Sequence, residues 1–262
     1  IIGQDSSLPS VCGRVCPQET QCEGSCILGV KGESVAIGKL ERFVGDWSIE
    51  HGAEATAPAP SNGRKVAVVG SGPAGMFAAL TLARAGARPI VLERGKAVPE
   101  RQRDVESFWR GGRLQKDSNV QFGEGGAGTF SDGKLNTGTH DKRGRQVLHD
   151  LVQAGAPDEI LWQAKPHIGT DRLPDAVKGL REMILTHGGE VRFRTKLTDI
   201  ELSGKALRAV RLAHGGAEEA LEADSLILAA GHSARELFAL LKERGAQLEQ
   251  KAFSMGVRCE HP

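Results

Sequence analysis

Two groups of residues in this sequence have the types and spacing to do chemistry. The first is Gly70-Ser71-Gly72-Pro73-Ala74-Gly75, which follows an apolar run and leads to Glu93 and Arg94 downstream. A turn of this kind at a helix start presents orphan N–H groups and the positive end of the helix dipole. Both favour a phosphate. Gly70 permits the tight turn, Gly72 lets backbone approach a pyrophosphate, and Gly75 lets the helix lie close to the strand. Glu93 can accept hydrogen bonds from a ribose hydroxyl, so the pattern predicts a dinucleotide site. The second group is Cys12, Cys16, Cys22 and Cys26, four of the five cysteines within fifteen residues, with Cys259 alone. Four soft ligands so close suit one metal centre, iron–sulfur or structural zinc, although zinc knuckles generally use tighter spacings. Four free thiols are the bland reading of the same segment.

A third stretch, residues 119–137 (NVQFGEGGAGTFSDGKLNT), carries four glycines between positions 123 and 128. So little side-chain bulk lets a flat or charged ligand meet the backbone directly. Gly125, Gly126, Thr129, Ser131 and Asp132 are the candidate contacts, with Glu124, Lys134 and Asn136 as further polar groups. Ala230 and Gly231 end a later buried strand and complete the candidate cofactor set. His167 and His232 flank glycines near this set, but a loop-orienting imidazole is the commoner role than acid–base work. Lys134 and Arg172 read as solvated charges, and Cys259 as a buried thiol.

The elements that must position these groups follow from periodicity. Residues 65–69 read as a buried parallel strand. The next helix carries Ala74, Phe77, Ala78, Thr81, Leu82 and Ala85 on one face and stops at Gly86. A second strand occupies 89–92. Residues 98–110 read as a charged, exposed helix, and 143–154 and 174–187 as amphipathic helices, the last with Ala176, Val177, Leu180, Met183 and Ile184 as its buried stripe. Segments 191–195, 198–202 and 207–212 read as a small antiparallel meander. A buried strand follows at 225–230, and then a capping box from Ser233 to Glu236 opens a helix closed by Gly245. Near the N-terminus, 35–47 looks helical, and 52–64 is a linker rich in Ala, Pro and Gly.

Composition bounds the function class. The chain has 262 residues, 39% hydrophobic and 26% charged, with a net charge of +1. That balance argues against a nucleic-acid or membrane-surface partner. No apolar run reaches spanning length and no signal-peptide pattern opens the chain, so a cytoplasmic location is expected. The chain begins at Ile1 and reads as a fragment.

From residue 65 onward the sequence resembles a group of FAD-dependent dehydrogenases. The matching pieces are GSGPAGMFAALTLARAG, FGEGGAGTFSDGKL, PHIGTD, LILAAGHSAR and MGVRCEHP. This resemblance implies a glutathione-reductase-like FAD domain, α/β and Rossmann-like, with a parallel sheet plus an antiparallel meander. Gly70–Gly75 and Glu93 would hold the ADP half, and the 123–132 loop would lie near the isoalloxazine. The late Gly-Asp motif usual in such proteins is missing, as is a second GxGxxG. The site of an NAD(P)H donor would therefore be elsewhere or missing.

Residues 9–47 resemble the N-terminal iron–sulfur domain of the glutamate synthase small subunit and of dihydropyrimidine dehydrogenase. That family builds two [4Fe–4S] clusters from two cysteine arrays, and only the second array is present. The resemblance implies that Cys26 serves one cluster and Cys16, Cys22 and Glu41 the other, with Cys12 unassigned. The expected organisation is a partial iron–sulfur helical segment at 1–51, the linker, and an FAD domain at 65–262. The leading expectation is an FAD-dependent oxidoreductase whose electrons pass to a cluster, a small molecule or a redox protein. The alternatives are an NADPH-linked iron–sulfur flavoprotein of the glutamate-synthase type, or a docking fragment whose cluster and flavin sites another chain completes.

Overall fold

The computed structural model describes residues 14–51, 59–136, 141, 143–204, 206–252 and 256. The chain divides into two compact units, one of residues 1–57 with 158–166, the other of 58–157 with 167–262. Cys12 and Cys259 lie outside the described residues, as does most of the MGVRCEHP motif.

The larger unit is built on β1 (Val66–Val69), α2 (Pro73–Arg84) and β2 (Ile90–Leu92). All four residues of β1 are buried, as an uninterrupted Val-Ala-Val-Val run requires. It is flanked in parallel by β2 and by β7 (Ser225–Leu228), and β3 (Glu190–Arg192) adds to the far side of β2. The strand order is thus β3-β2-β1-β7, all parallel, and the order in which strands are added reverses at β1, with β2 and β3 on one side and β7 on the other.

The short strand read at 191–195 is split: only Thr195, its last residue, joins the meander. Its first residues pair in parallel with β2, a contact across about a hundred positions that local pattern does not encode. The meander is instead β4 (Thr195–Ser203), β5 (Ala206–His214) and β6 (Ala217–Glu222), joined by tight turns. The core lies between the two sheets, where Ala67, Val69 and Leu92 meet Leu197, Ile200, Val210 and Leu212.

Four helices complete this unit: α3 (Val98–Trp109), α4 (Arg143–Gln153), α5 (Leu173–Thr186) and α6 (Arg235–Glu243). The stripe expected for α5 is buried as read, apart from the half-buried Met183. In α2 the face differs from the expected one. Gly75, Met76, Ala79, Leu80 and Ala83 are buried, whereas Ala74, Thr81 and Ala85 are exposed. The helix packs on β1 and β2 on one side and α5 on the other, so it is apolar nearly all round and its period names no single face.

Helix α3 is likewise not simply exposed, since Val98, Arg101 and Val105 are buried. The capping box at α6 does not form. Ala234 is the N-cap with no side-chain bond, and the Ser233 hydroxyl turns to Gln121 Oε1 at 3.1 Å. Ser233→Ala should therefore shift the urea midpoint by less than the equivalent of about 0.5 kcal/mol. A working N-cap would cost about 1 kcal/mol.

In the smaller unit, short 3-10 turns at Gln18–Thr20 and Ile27–Val30 precede helix α1 (Ile37–His51). Arg14 grips Asp46 of α1 through two bonds of 2.9 and 2.8 Å, and Gly38 N–H donates to Glu23 at 3.0 Å. Among the described residues no helix is long and apolar enough to cross a membrane.

Candidate functional site

A cleft of about 310 Å³ opens at the carboxyl ends of β1, β2 and β7. Open parallel sheets bind ligands at this edge, where the strand order reverses. The turn after β1 forms its floor. Gly72 is the N-cap of α2 with no side-chain bond, Pro73 occupies the first turn, and the helix's initial N–H groups stay open toward the cleft.

Gly75 does not line the cleft; it makes the helix–strand contact. A Cβ there would stand 1.9 Å from the Gly70 carbonyl oxygen, so the close approach predicted for this glycine is obligatory. The second glycine loop closes on the first. Gly125 N–H donates to the Ser71 carbonyl at 2.9 Å, and Gly126 faces Gly72 so closely that a Cβ on Gly126 would lie 3.0 Å from Gly72 Cα. Two motifs some fifty residues apart in sequence thus meet in backbone contact at one side of the cleft.

Glu93 is 4% exposed and its carboxylate is already filled. It accepts from Ser71 N–H at 3.0 Å and the Ser71 hydroxyl, and from Gly95 N–H at 2.8 Å and Gly123 N–H at 3.1 Å. Four donors match the lone-pair sites of a carboxylate. The acid expected to meet a ribose is therefore first a staple joining both glycine loops to the end of β2.

Arg94, at the rim, lies over the Phe122 ring at 4.2 Å and pairs with Asp117 and Glu236. Burial pushes the Glu236 carboxyl up, but its helix-start N–H, Arg94 and Lys196 together hold it below the usual carboxylate range. These pairs tie the start of α6 and the start of β4 to the end of β2.

Of the expected cofactor residues, Gly70, Ser71, Gly72, Pro73, Ala74, Glu93, Arg94, Gly126, Ala230 and Gly231 line the cleft. Gly125, Thr129, Ser131 and Asp132 do not. Thr129 is buried and donates to the Glu124 carbonyl at 2.8 Å, and the Ser131 hydroxyl donates to Gly128 O at 2.7 Å. Asp132 is exposed, and the Lys134 ammonium bonded to it lowers its pKa.

Glu124 also faces inward. It accepts from Val98 N–H at 2.7 Å and pairs with Arg181 at 3.0 Å, while burial pushes its carboxyl up. The sequence reading missed Gln121, Phe122, Ala127, residues 195–197 and Leu237, which also line the cleft. Leu197 falls between the segments read at 191–195 and 198–202, and nothing local says which strand end meets the fingerprint. His232 lines the cleft rim, and His167 bridges Lys134 as an antiparallel pair outside it.

The cysteine segment presents a different picture. Cys16 and Cys26 are half-buried and Cys22 is exposed; all three are free thiols. The Cys16 thiol reaches Gln21 Oε1 at 3.9 Å. Backbone N–H groups of Val35 and Leu28 hold the Cys26 thiol below its ordinary pKa. Among the described residues no three His, Cys, Asp or Glu side chains converge to hold a metal ion. Cys16, Cys22, Cys26 and Glu41 are thus not brought together as a complete ligand set there.

Comparison with known proteins gives two family matches. Residues 1–53 match the family model described as dihydropyrimidine dehydrogenase domain II, 4Fe-4S cluster, and residues 64–255 that of pyridine nucleotide-disulphide oxidoreductase. An uncharacterised protein of Clostridium beijerinckii is 50% identical over 195 residues, 74% of this chain and 36% of its own length. The Escherichia coli glutamate synthase [NADPH] small chain is 44% identical over 92 residues, 35% of this chain and 20% of its own. The chain therefore spans only about a third of the first relative and a fifth of the second. Glycine oxidase from Bacillus cereus superposes with a TM-score of 0.43 at 15% identity, covering 67% of this chain and 58% of that one. With the glycine turn, the parallel sheet and the family match over residues 64–255 in agreement, the chain belongs to the pyridine nucleotide-disulphide oxidoreductase family, with a 4Fe-4S-type domain at its N-terminus.

Proposed function

We propose that the larger unit is the FAD-holding part of an oxidoreductase whose electrons pass between the flavin and a cluster or an outside redox partner. The observation that carries this is the cleft at the open start of α2, where the two glycine loops meet through Gly72 and Gly126. Backbone from Gly70 to Ala74 would hold the pyrophosphate, with Glu93 and Arg94 toward the adenosine end. Gly126, Ala127, Ala230 and Gly231 close the other side without side-chain bulk.

To take a ribose hydroxyl, Glu93 would exchange the Ser71 hydroxyl for it and keep its three backbone donors. FAD, when bound, supplies hydride and one-electron transfer. The protein's share is to hold, orient and dry that group. A cleft of about 310 Å³ stands at the lower end of the roughly 300–1,000 Å³ usual for ligand sites. It suits the adenosine half, with the far half enclosed by protein beyond these residues.

The same reading assigns residues 1–51 to a partial iron–sulfur segment, 52–64 to a linker and 65–262 to the FAD domain. Cys16, Cys22, Cys26 and Glu41 would contribute ligands that a further segment or chain completes, with Cys12 left unassigned. Free clustered thiols favour a reducing, cytoplasmic setting. The identity to the glutamate synthase small chain favours a second reading, an NADPH-linked iron–sulfur flavoprotein. Oxidation of NADPH by the purified chain would select it.

The deciding experiment is anaerobic purification followed by flavin release on denaturation and assays of iron and sulfide. Stoichiometric FAD supports the proposal, and absence of iron removes the cluster from it. Absence of flavin leaves only a docking role. A variant separates the ligand from the fold. A side chain at Gly72 meets no protein atom nearer than 3.9 Å, so Gly72→Ala should cost less than about 1 kcal/mol of stability. Its methyl group enters the phosphate path, so FAD binding measured by fluorescence quenching should weaken by about tenfold or more.

A further inference from the structure

The loop of residues 119–130 contains no strand, and its 3-10 turn Gly126–Phe130 is a single short one, so something else must fix its shape. Its carbonyl oxygens supply the answer. They converge on Arg101 of α3, a guanidinium with no exposure at all. Nε donates to Asn119 O at 2.8 Å, and Nη2 donates to Val120 O at 3.0 Å and Gly126 O at 2.7 Å. Nη1 donates to Thr129 Oγ1 at 3.1 Å and to the Glu124 carbonyl. All five N–H donors of the side chain are used, and the Phe130 ring lies 4.9 Å from its central carbon.

Drawing these four carbonyls to one side leaves two of the loop's amides for the other. Gly123 N–H then reaches Glu93, and Gly125 N–H reaches Ser71 O. Both contacts join the loop to the fingerprint turn. Arg101 itself does not line the cleft.

We propose that Arg101 is the positioning residue of the flavin site: by gathering the carbonyls of Asn119, Val120, Glu124 and Gly126 and the Thr129 hydroxyl, it sets the contact by which Gly126 meets Gly72 at the cleft. The proposal rests on the FAD reading above. Burial lowers the guanidinium's pKa to about 10, with Glu93 and Glu124 opposing the shift, so it keeps its charge at neutral pH. A planar fork with five donors is what the loop requires. Lysine brings three donors from one point and cannot span these acceptors.

The test compares wild type, Arg101→Lys, Arg101→Ala and Thr129→Val as full chains, each titrated with FAD and each unfolded thermally. Arg101→Lys and Arg101→Ala should bind FAD roughly tenfold or more weakly. Thr129→Val, which removes one acceptor and keeps the charge, should show a smaller loss. Millimolar guanidinium should restore affinity to Arg101→Ala, and ammonium should not. A merely structural arginine would lower the melting temperature without this selective rescue.

Wild-type affinity in Arg101→Lys, or loss in Arg101→Ala that neither cation restores, overturns the proposal while FAD binding by the wild type leaves the FAD reading standing. Where both Arg101 variants fail to fold, Thr129→Val decides, and unchanged FAD affinity in that variant overturns the proposal. A wild type that binds no FAD overturns the reading and the proposal together.

Discussion

Replacing Gly75 with alanine will destabilise the larger unit by about 2–3 kcal/mol, the upper part of the roughly 1–3 kcal/mol that forcing a methyl group into a closed contact costs. The added Cβ would lie 1.9 Å from Gly70 O and 3.0 Å from Gly70 C, both backbone atoms of the turn it must clear. Relief requires α2 to lift from β1 or the phosphate turn to open, and either movement separates Gly72 from Gly126. The melting temperature should fall by roughly 5–10 °C in a domain of this size. FAD affinity should fall with it. The contrast with Gly72→Ala is informative, because the two glycines sit three residues apart yet serve different ends. A Gly75→Ala protein with wild-type melting temperature would show that the helix–strand contact is looser than described.

Glu93→Gln is expected to weaken the protein even without ligand. The carboxylate accepts from three backbone N–H groups and the Ser71 hydroxyl in a site 4% exposed. An amide offers one accepting oxygen and turns an NH2 group toward donors, so at least one buried N–H loses its partner. Hydrogen bonds to a buried charge are worth about 1.5–3 kcal/mol each, and an unpaired donor adds its own desolvation cost. A loss of about 3 kcal/mol in urea denaturation of the ligand-free protein follows. If Glu93 served only a ribose, the ligand-free stability would be unchanged and only FAD affinity would drop. That result would sink the staple.

The structure also separates glycines and acids that look alike in sequence. Glu93 and Glu124 are both buried, but one joins two loops while the other receives the first N–H of α3 and Arg181. Thr129, Ser131 and Asp132 carry the polar groups that made the loop resemble a ligand surface. Two of them satisfy their own backbone instead, and the third stays in solvent with Lys134. The cleft is faced by the loop's glycines and by Ala127, which offer backbone.

Local pattern was enough for the fingerprint and for the parallel strand, helix and strand around it. An uninterrupted apolar run, a glycine turn and a glycine stop each act within a few residues. The same was true of the stripe of α5, because that helix has one apolar face and one charged face. It was not true of α2, whose small apolar residues cover both the side toward β1 and the side toward α5. Nor did charge mark Arg101 as interior. A helix of Glu, Arg, Gln and Asp reads as solvated until the carbonyl oxygens of a distant loop are known to point at it. The place of β3 beside β2 was decided by parallel pairing across about a hundred residues, whose partner no short window contains. The sequence by itself thus determined the motifs and the elements that carry them. Only the tertiary structure decided which face of each element is buried and which groups meet at the cleft, because burial and long-range hydrogen bonding are settled between segments rather than within them.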